Sequence, residues 1–355
     1  MNNPTKLRLF CLTCMPLIEF TDKGLYCEKG GFFIDPWRPV DKAVITHAHA
    51  DHSRWGMKKY LAHHLSIPVM KLRLGKINTT GMNYGECKRV NGVQLSLHPA
   101  GHILGSAQVK VEYKGEIWVI SGDYKLIDDK ISTPFEPVKC HTLVTESTFG
   151  LPVYKWKPQA EVFAEMNQWW RENKEKGLAS VILGYSLGKA QRILCSIDSS
   201  IGNILLHGAI HNSNLALREC GLQFPKTELI TKTTEKEKYR GSLIIAPPSA
   251  FGSAWMNKLK PYKVATASGW MTIRGARRRR NVDRGFILSD HADWDELNQA
   301  VKLSKAERVY VTHGYTGIFS NWLREQGYDA HPVTTEYEGE LSEIGEGASR
   351  EKESE

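Results

Sequence analysis

Residues 93–98, Val93-Gln94-Leu95-Ser96-Leu97-His98, alternate apolar and polar side chains, the two-residue period of a strand with one buried face. Residues 108–113 and 117–120 predict a hairpin about Lys114-Gly115-Glu116, and residues 43–46 and 142–145 are short runs that read as strands. From 31 to 50 the chain reads as extended, broken by the turn Asp35-Pro36-Trp37-Arg38-Pro39. Past Pro158 the period changes. Residues 160–176 predict a helix, 179–183 a strand and 188–197 a second helix, with further strands at 204–207, 242–246 and 264–267. Such alternation predicts an α/β layer. A strand at 285–289, a helix at 294–303 and a strand at 309–312 follow, and the tail from Glu338, rich in Glu, Gly and Ser, reads as disordered. No segment repeats at a fixed period, which sets aside solenoids and propellers.

Polar chemistry falls just past the strand ends. Residues 43–46 lead into His47-Ala48-His49-Ala50-Asp51-His52, 93–98 into Pro99-Ala100-Gly101-His102, and 117–120 into Ser121-Gly122-Asp123. Glu146, His291 and His313 follow the strands at 142–145, 285–289 and 309–312. His47 and His49, two apart, point to one side of an extended chain, while Asp51 and His52, past a turn, can address a second position. One loop therefore offers donors for two ions. Mixed imidazole and carboxylate donors suit Zn²⁺, Mn²⁺ or Fe²⁺ better than Mg²⁺ or Ca²⁺, which prefer oxygen shells. Each ion needs further ligands from afar, and His102, Asp123 and His313 are the candidates. A chance surface cluster is the competing reading of the histidine run, and the downstream residues at strand ends speak against it.

Composition narrows the class. The chain has 355 residues, 41% hydrophobic and 24% charged, a globular profile with room for one large domain or two. Basic residues outnumber acidic ones, 47 to 39, and the formal charge of +8 suits a polyanionic partner without proving one. Seven scattered cysteines, an odd number, argue against a disulfide framework and for a reducing compartment, so a cytoplasmic location is expected. Cys11-x-x-Cys14 lacks two nearby partners for a structural zinc site. The apolar stretch 9–18, preceded by Lys6 and Arg8, is interrupted by Pro16, lacks a small-residue cleavage site and runs into Glu19 and Asp22, so it is not read as a secretory signal. No other run approaches the ~20 apolar residues of a membrane span, and no membrane partner is expected.

The run at 47–52, with His102, Asp123 and His313, resembles the metal-binding motifs of the metallo-β-lactamase superfamily, and Asp35 resembles its first-motif aspartate. By that likeness His47, His49 and His102 hold one metal, Asp51, His52 and His313 hold a second, Asp123 bridges them, and Asp35 orients a histidine from outside. Thr145-Glu146-Ser147-Thr148-Phe149-Gly150, Ser289-Asp290-His291-Ala292-Asp293 and Thr312-His313-Gly314 resemble motifs of the β-CASP nucleases. The resemblance implies an α/β fold, a metallo-β-lactamase αββα sandwich with an inserted α/β cap domain of β-CASP type. The expected division is a first core part at 1–150, the cap at 151–275, a second core part at 276–337 and the tail at 338–355. It also implies that His291 contacts the scissile phosphate and acts as general acid, with Glu146 keeping it protonated, while Asp51 and Asp123 steer the attacking water activated by the two metals. Asp290 and Asp293 are alternatively caps of the helix that follows.

A narrower likeness, to bacterial ligase-associated DNA exonucleases, is carried by Tyr26-Cys27, Asp35-Pro36-Trp37-Arg38-Pro39-Val40, residues 47–56 and 148–156, Gly269-Trp270-Met271, and residues 274–280. It implies a 5′ to 3′ exonuclease acting on single-stranded or tailed DNA in repair, alongside an ATP-dependent DNA ligase and a helicase, with two divalent transition-metal ions, Zn or Mn. Candidate nucleic-acid contacts are Ser186 and Lys189 in Ser186-Leu187-Gly188-Lys189 and Ser249 in Pro247-Pro248-Ser249-Ala250, each where a strand turns into a helix N-terminus with free amides. Arg274, Arg277, Arg278, Arg279 and Arg280 form the densest basic run, with Trp270 nearby to stack on a base. Ordinary capping and a solvated charged face are the competing readings. Three other functions stay open. A β-CASP ribonuclease would share the catalytic groups and differ at the 2′-hydroxyl. A non-catalytic nucleic-acid-binding subunit would lack ligands, all of which are present here. A small-molecule hydrolase of thioesters or lactams can also use this fold.

Overall fold

Strand pairing sorts the described residues, 16–273 and 281–337 of the computed structural model, into three sheets of a mixed α/β fold. The first sheet has six strands in chain order, from Glu19–Thr21 to Thr79–Met82. The second has seven. Cys87–Val90, Val93–Pro99, Ala107–Tyr113 and Glu116–Ile120 run as an antiparallel meander, and Thr142–Ser147, Arg308–Gly314 and Asp329–Pro332 extend it in parallel. The parallel pairing of Thr142–Ser147 with Arg308–Gly314 sets Glu146 beside Thr312, so two segments far apart in sequence end at one place. Between them lies the third sheet, of six parallel strands: Glu228–Leu229, Ile204–Leu206, Leu243–Ala246, Ala179–Leu183, Tyr262–Ala267 and Arg284–Phe286.

The first two sheets share one apolar cluster. Leu25, Ile34 and Val44 from the first meet Leu95, Val109 and Trp118 from the second, each large aliphatic side chain contributing about 1.5–3 kcal/mol by leaving water. Leu17 and Ile18, the end of the apolar stretch noted near the N-terminus, are buried in the same cluster. The second sheet's other face is covered by the helices Trp294–Ser304 and Thr316–Glu325, through Leu297, Val301, Phe319 and Leu323. The first sheet's other face is covered by Ile67–Leu74 and Gly208–Glu219. Ala179–Leu183 is buried at every position, as a parallel strand covered on both faces must be. Its two faces feed separate clusters, one around Trp170 and Ile193, the other around Ile244 and Met256.

Expectation and structure agree best where a local signal is strong. The helix Trp294–Ser304 begins at the predicted residue because Asp293 and Glu296 form a capping box: Glu296 N donates to Asp293 Oδ1 at 2.9 Å and Asp293 N to Glu296 Oε2 at 3.1 Å. Gln159–Glu175 lies one residue from the predicted helix. The helix Gly208–Glu219 carried no such signal, since a histidine caps it, His207 Nδ1 accepting from Ala209 N at 3.1 Å. The strand Thr79–Met82 is interrupted by Gly81, which hides its alternation. One boundary moves. The third sheet takes its last strand from Arg284–Phe286, paired with Tyr262–Ala267, so the layer runs past the boundary expected at 275. The predicted strand 285–289 shortens accordingly, and the tail expected at 338–355 lies outside the described residues. Among the described residues no helix is long and apolar enough to cross a membrane, and Cys27, Cys87, Cys140, Cys195 and Cys220 are free thiols.

Gly101 shows how tightly the strand-end loops are held. Its φ is +73°, and a Cβ there would lie 2.1 Å from the Lys125 carbonyl oxygen. Gly101→Ala is expected to cost about 2 kcal/mol or more and to displace His102. A urea melt with an unchanged midpoint would show instead that the loop can relax.

Candidate metal centre

The predicted donors converge. His47, His49, His102 and Asp123 each place one donor atom within 4.8 Å of the others, and so do His52, Asp123 and His313, and Asp123, Glu146 and His291. Asp123 is common to all three groups. His313 Nε2 donates to Asp123 Oδ1 at 2.8 Å, and His47 Nε2 and His52 Nε2 lie 3.4 and 3.5 Å from its two oxygens. Asp51 Oδ2 lies 3.7 Å from His52 Nε2.

What aims these rings is a set of acceptors outside the cluster. Asp35 Oδ2 accepts from His52 Nδ1 at 2.7 Å, and Asp35 is itself fixed by Thr46, whose N donates to Oδ1 at 2.7 Å and whose Oγ1 donates to Oδ2 at 2.5 Å. Asp35 adopts a φ of 42°, in the left-handed region where aspartate is better tolerated than most residues. His49 Nε2 donates to the Leu187 carbonyl at 3.2 Å, and His102 Nδ1 to the Asp290 carbonyl at 2.8 Å. His47 Nδ1 lies 3.0 Å from Thr46 Oγ1. The inner nitrogens of His47 and His52 are buried and have no hydrogen-bond partner among the described residues. Buried polar atoms are ordinarily satisfied, so these orphaned nitrogens, beside carboxylates, fit a divalent transition metal.

Electrostatics agree for His47, His49 and His102, while in the metal-free chain His52 holds a proton that a metal would have to displace. Burial pushes His47 well below its ordinary value and lowers His49 and His102 to about 4, so at neutral pH these rings carry the lone pairs a metal needs. Burial opposes protonation of His52 too, but Asp123, Asp51 and Asp35 overcome it and raise His52 to about 10. Burial would raise Asp51 and Asp123, yet His52 and the other histidines hold both below the carboxylate range.

Beside this centre His291 Nδ1 donates to Glu146 at 2.9 and 3.1 Å, with both side chains buried. Glu146 Oε1 also accepts from Tyr124 N at 2.9 Å, which fixes the carboxylate. His291 lines a cavity of about 760 Å³ together with His49, Asp51, His102 and Asp123. The opposite wall comes from the third-sheet segment, where Tyr185, Ser186, Asn212 and Ser249 line it. Two expected nucleic-acid contacts, Ser186 and Ser249, therefore face the cavity.

Others do not. Lys189 is fully buried, its ammonium 5.1 Å from the Tyr185 ring, and its charge helps hold down Asp290. The expected free amide at Gly188 donates to Gln191 Oε1 at 2.7 Å, and residues 248–250 form a single 3-10 turn. Trp270 is 5% exposed, its ring centroid 4.8 Å from that of Phe149, packed with Tyr154 and Trp156 and away from the cavity lining. Arg274, Arg277, Arg278, Arg279 and Arg280 lie outside the described residues. Asp293 is the helix cap, whereas Asp290 forms a buried ion pair with Arg192. Three residues missed in the sequence also belong here. Arg73 and Arg54 line the cavity, Arg73 donating to the Ala48 carbonyl at 2.6 Å and Arg54 to the Asp51 carbonyl at 3.2 Å. Tyr337 stacks on His52 with ring centroids 4.4 Å apart and donates to the Asp35 carbonyl at 3.0 Å. Arg54 stood within the motif run, but nothing local marks Tyr337, which reaches Asp35 only through the fold.

The shifted histidines fix how the metal-free chain responds to pH. His49 and His102 fold with values below their ordinary 6.5, so the unfolded chain binds the extra protons and stability is lost as pH falls from about 6.5 toward about 4. His52 runs oppositely: its contribution is complete below about 6.5 and is lost as pH rises through about 10. Chelator-treated protein is therefore expected to melt at its highest temperature near neutrality. A melting temperature that keeps rising toward pH 5 would contradict this charge assignment.

No family model matches the sequence. A protein named a probable DNA ligase, from Opitutus terrae, is 31% identical over 322 residues, which cover 90% of this chain and 31% of that one. A probable RNase MJ4 of Methanocaldococcus jannaschii is 24% identical over 82% of this chain and 86% of its own. Cleavage and polyadenylation specificity factor 73 of Drosophila melanogaster is 27% identical over 44% of this chain and 24% of its own. The chain thus spans about a third of the ligase-named relative and less of the cleavage factor. In fold, it is similar to a crystal structure of a protein of unknown function from Enterococcus faecalis V583, with a TM-score of 0.59 and 12% identity over 82% of this chain and 78% of that one. With relatives of this kind along its length, and with its motif histidines grouped around Asp123, the chain is a homologue of the β-CASP nucleases of the metallo-β-lactamase superfamily.

Proposed function

We propose that this chain is a metal-dependent phosphodiesterase, a 5′ to 3′ exonuclease on single-stranded or tailed DNA. The observation that carries the reading is a histidine held beside metal donors: His291, bonded to Glu146, shares Asp123 with the His47 and His52 groups and lines one cavity with His49, Asp51, His102 and Asp123. In this reading the first two sheets form a metallo-β-lactamase αββα sandwich, and the third-sheet segment is the inserted cap that closes over it. His47, His49 and His102 would hold one ion and Asp51, His52 and His313 a second, with Asp123 between them and zinc or manganese as the metals. Two such ions supply Lewis acidity and bring a water's pKa toward neutrality.

The chain's own groups then divide the work. Asp51 and Asp123 orient the attacking water at the cavity floor. His291 gives its proton to the leaving oxygen, and Glu146 stabilises the charged imidazolium beforehand. Ser186 and Ser249 offer hydroxyls to phosphate oxygens on the opposite wall, and Arg54 and Arg73 lend positive charge. The match of nearly this whole chain to a third of a protein named a probable DNA ligase favours a cytoplasmic role in repair beside an ATP-dependent ligase, with a helicase to supply single strands. A ribonuclease is the second reading, favoured by the relative named RNase MJ4.

Single-stranded DNA and RNA labelled at either end, incubated with Mn²⁺ or Zn²⁺, separate the two. DNA shortened from its 5′ end is expected. Cleavage of RNA alone would make the chain a ribonuclease, and cleavage of neither would end the phosphodiesterase reading. His291→Ala is expected to lower kcat about 10²- to 10⁴-fold while elemental analysis finds metal content unchanged. Metal loss in that variant would make His291 a ligand rather than an acid.

A further inference from the structure

The segment that begins at Leu187 reaches the metal centre at two points. Directly, the Leu187 carbonyl accepts from His49 Nε2 at 3.2 Å. Indirectly, the same segment fixes Asp290, whose carbonyl accepts from His102 Nδ1 at 2.8 Å. Arg192, on the helix Lys189–Ser196, donates through Nη1 both to Asp290 Oδ1 and to the Ser289 carbonyl, each at 2.5 Å. Both side chains of this pair are buried, 2% and 3% exposed. Gly188 completes the contact, since a Cβ there would lie 2.6 Å from Ile103 Cγ2 and 3.2 Å from Asp290 Oδ2.

A buried ion pair adds little net stability over apolar packing of the same shape. What a guanidinium adds is direction, because its planar fork fixes two acceptors at once. Here Nη1 takes both the Ser289 carbonyl and Asp290 Oδ1, next to the Asp290 carbonyl that orients His102. Arg192 is itself fixed on its far side, where Nη2 donates to Gln159 Oε1 at 2.5 Å. The other histidine group is aimed differently: Asp35 holds His52, and Thr312 Oγ1 lies 3.2 Å from His313 Nδ1. Those two partners belong to the first two sheets, and neither depends on the helix Lys189–Ser196.

We infer that Arg192 is a positioning residue for one metal site only, the one formed by His47, His49, His102 and Asp123. It holds the Ser289-Asp290 backbone so that the Asp290 carbonyl keeps His102 turned inward, while the start of its helix brings Leu187 to His49. The third-sheet segment thereby sets the affinity of one ion and leaves the other to the two core sheets. This inference rests on the reading that the histidine groups hold metal, and zinc binding tests it without any nucleic acid.

Arg192→Lys keeps the charge and removes the fork. It is made in a His313→Ala background, which retains the His47 group, and in a His47→Ala background, which retains the His52 group. Each metal-free protein is titrated with Zn²⁺ against a competing chelator, with circular dichroism to establish folding. Zinc affinity is expected to fall about ten- to hundredfold in the first background and to change less than about twofold in the second. Equal weakening in both, or none in either, overturns the inference. Should Arg192→Lys not fold, the charge-balanced pair Arg192→Met with Asp290→Asn carries the same expectation and the same refutation. Absence of zinc binding in both backgrounds before Arg192 is changed would sink the metal reading itself, and the inference with it.

Discussion

Six imidazoles meet around the buried Asp123 carboxylate at the wall of the cavity, and the structure depends on keeping them aimed. Packed rings of this kind gain nothing from contact alone, because each buries a polar nitrogen that water had satisfied. The fold meets that cost by giving His52, His49, His102 and His291 an acceptor outside the cluster: Asp35, the Leu187 carbonyl, the Asp290 carbonyl and Glu146 respectively. Among the described residues the inner nitrogens of His47 and His52 find no hydrogen-bond partner. A metal centre is the arrangement in which that deficit becomes binding energy.

The outside acceptors come from all three sheets, and this ties the architecture to the chemistry. Asp35 is reached from the first sheet through Thr46, and Glu146 stands in the second beside Thr312. Leu187 and Arg192 come from the third-sheet segment, which also supplies the cavity wall facing the donors. A single substitution in any of these layers can therefore be felt at the centre without touching a donor. The buried pair of Arg192 and Asp290 illustrates the point, since it spans two segments and both of its partners are enclosed.

The expected nucleic-acid contacts divide by burial. Ser186 and Ser249 are short side chains on loops, and both face the cavity. Trp270 and Lys189 carry the chemistry that binds nucleic acid elsewhere, yet one fills an aromatic cluster and the other lies beneath the surface near Asp290. Residue type suggested a use, and burial sets both side chains apart from the cavity lining. Arg73 and Tyr337 were overlooked for the opposite reason: their neighbours in sequence gave no hint of the company they keep, whereas Arg54 stood within the motif run.

By itself the sequence determined many of the strands, the donors at their ends and the family likeness, because a strand's two-residue period and a short histidine run are local and survive without a fold. It also determined the start of the helix at Trp294, through a capping box contained in four residues. Only the tertiary structure decided which nitrogen of each histidine faces inward, that Asp290 pairs with Arg192 rather than capping a helix, and that Tyr337 lies over His52. These are long-range contacts whose energies depend on burial and on partners up to 302 residues away, and no window of sequence contains both sides of them.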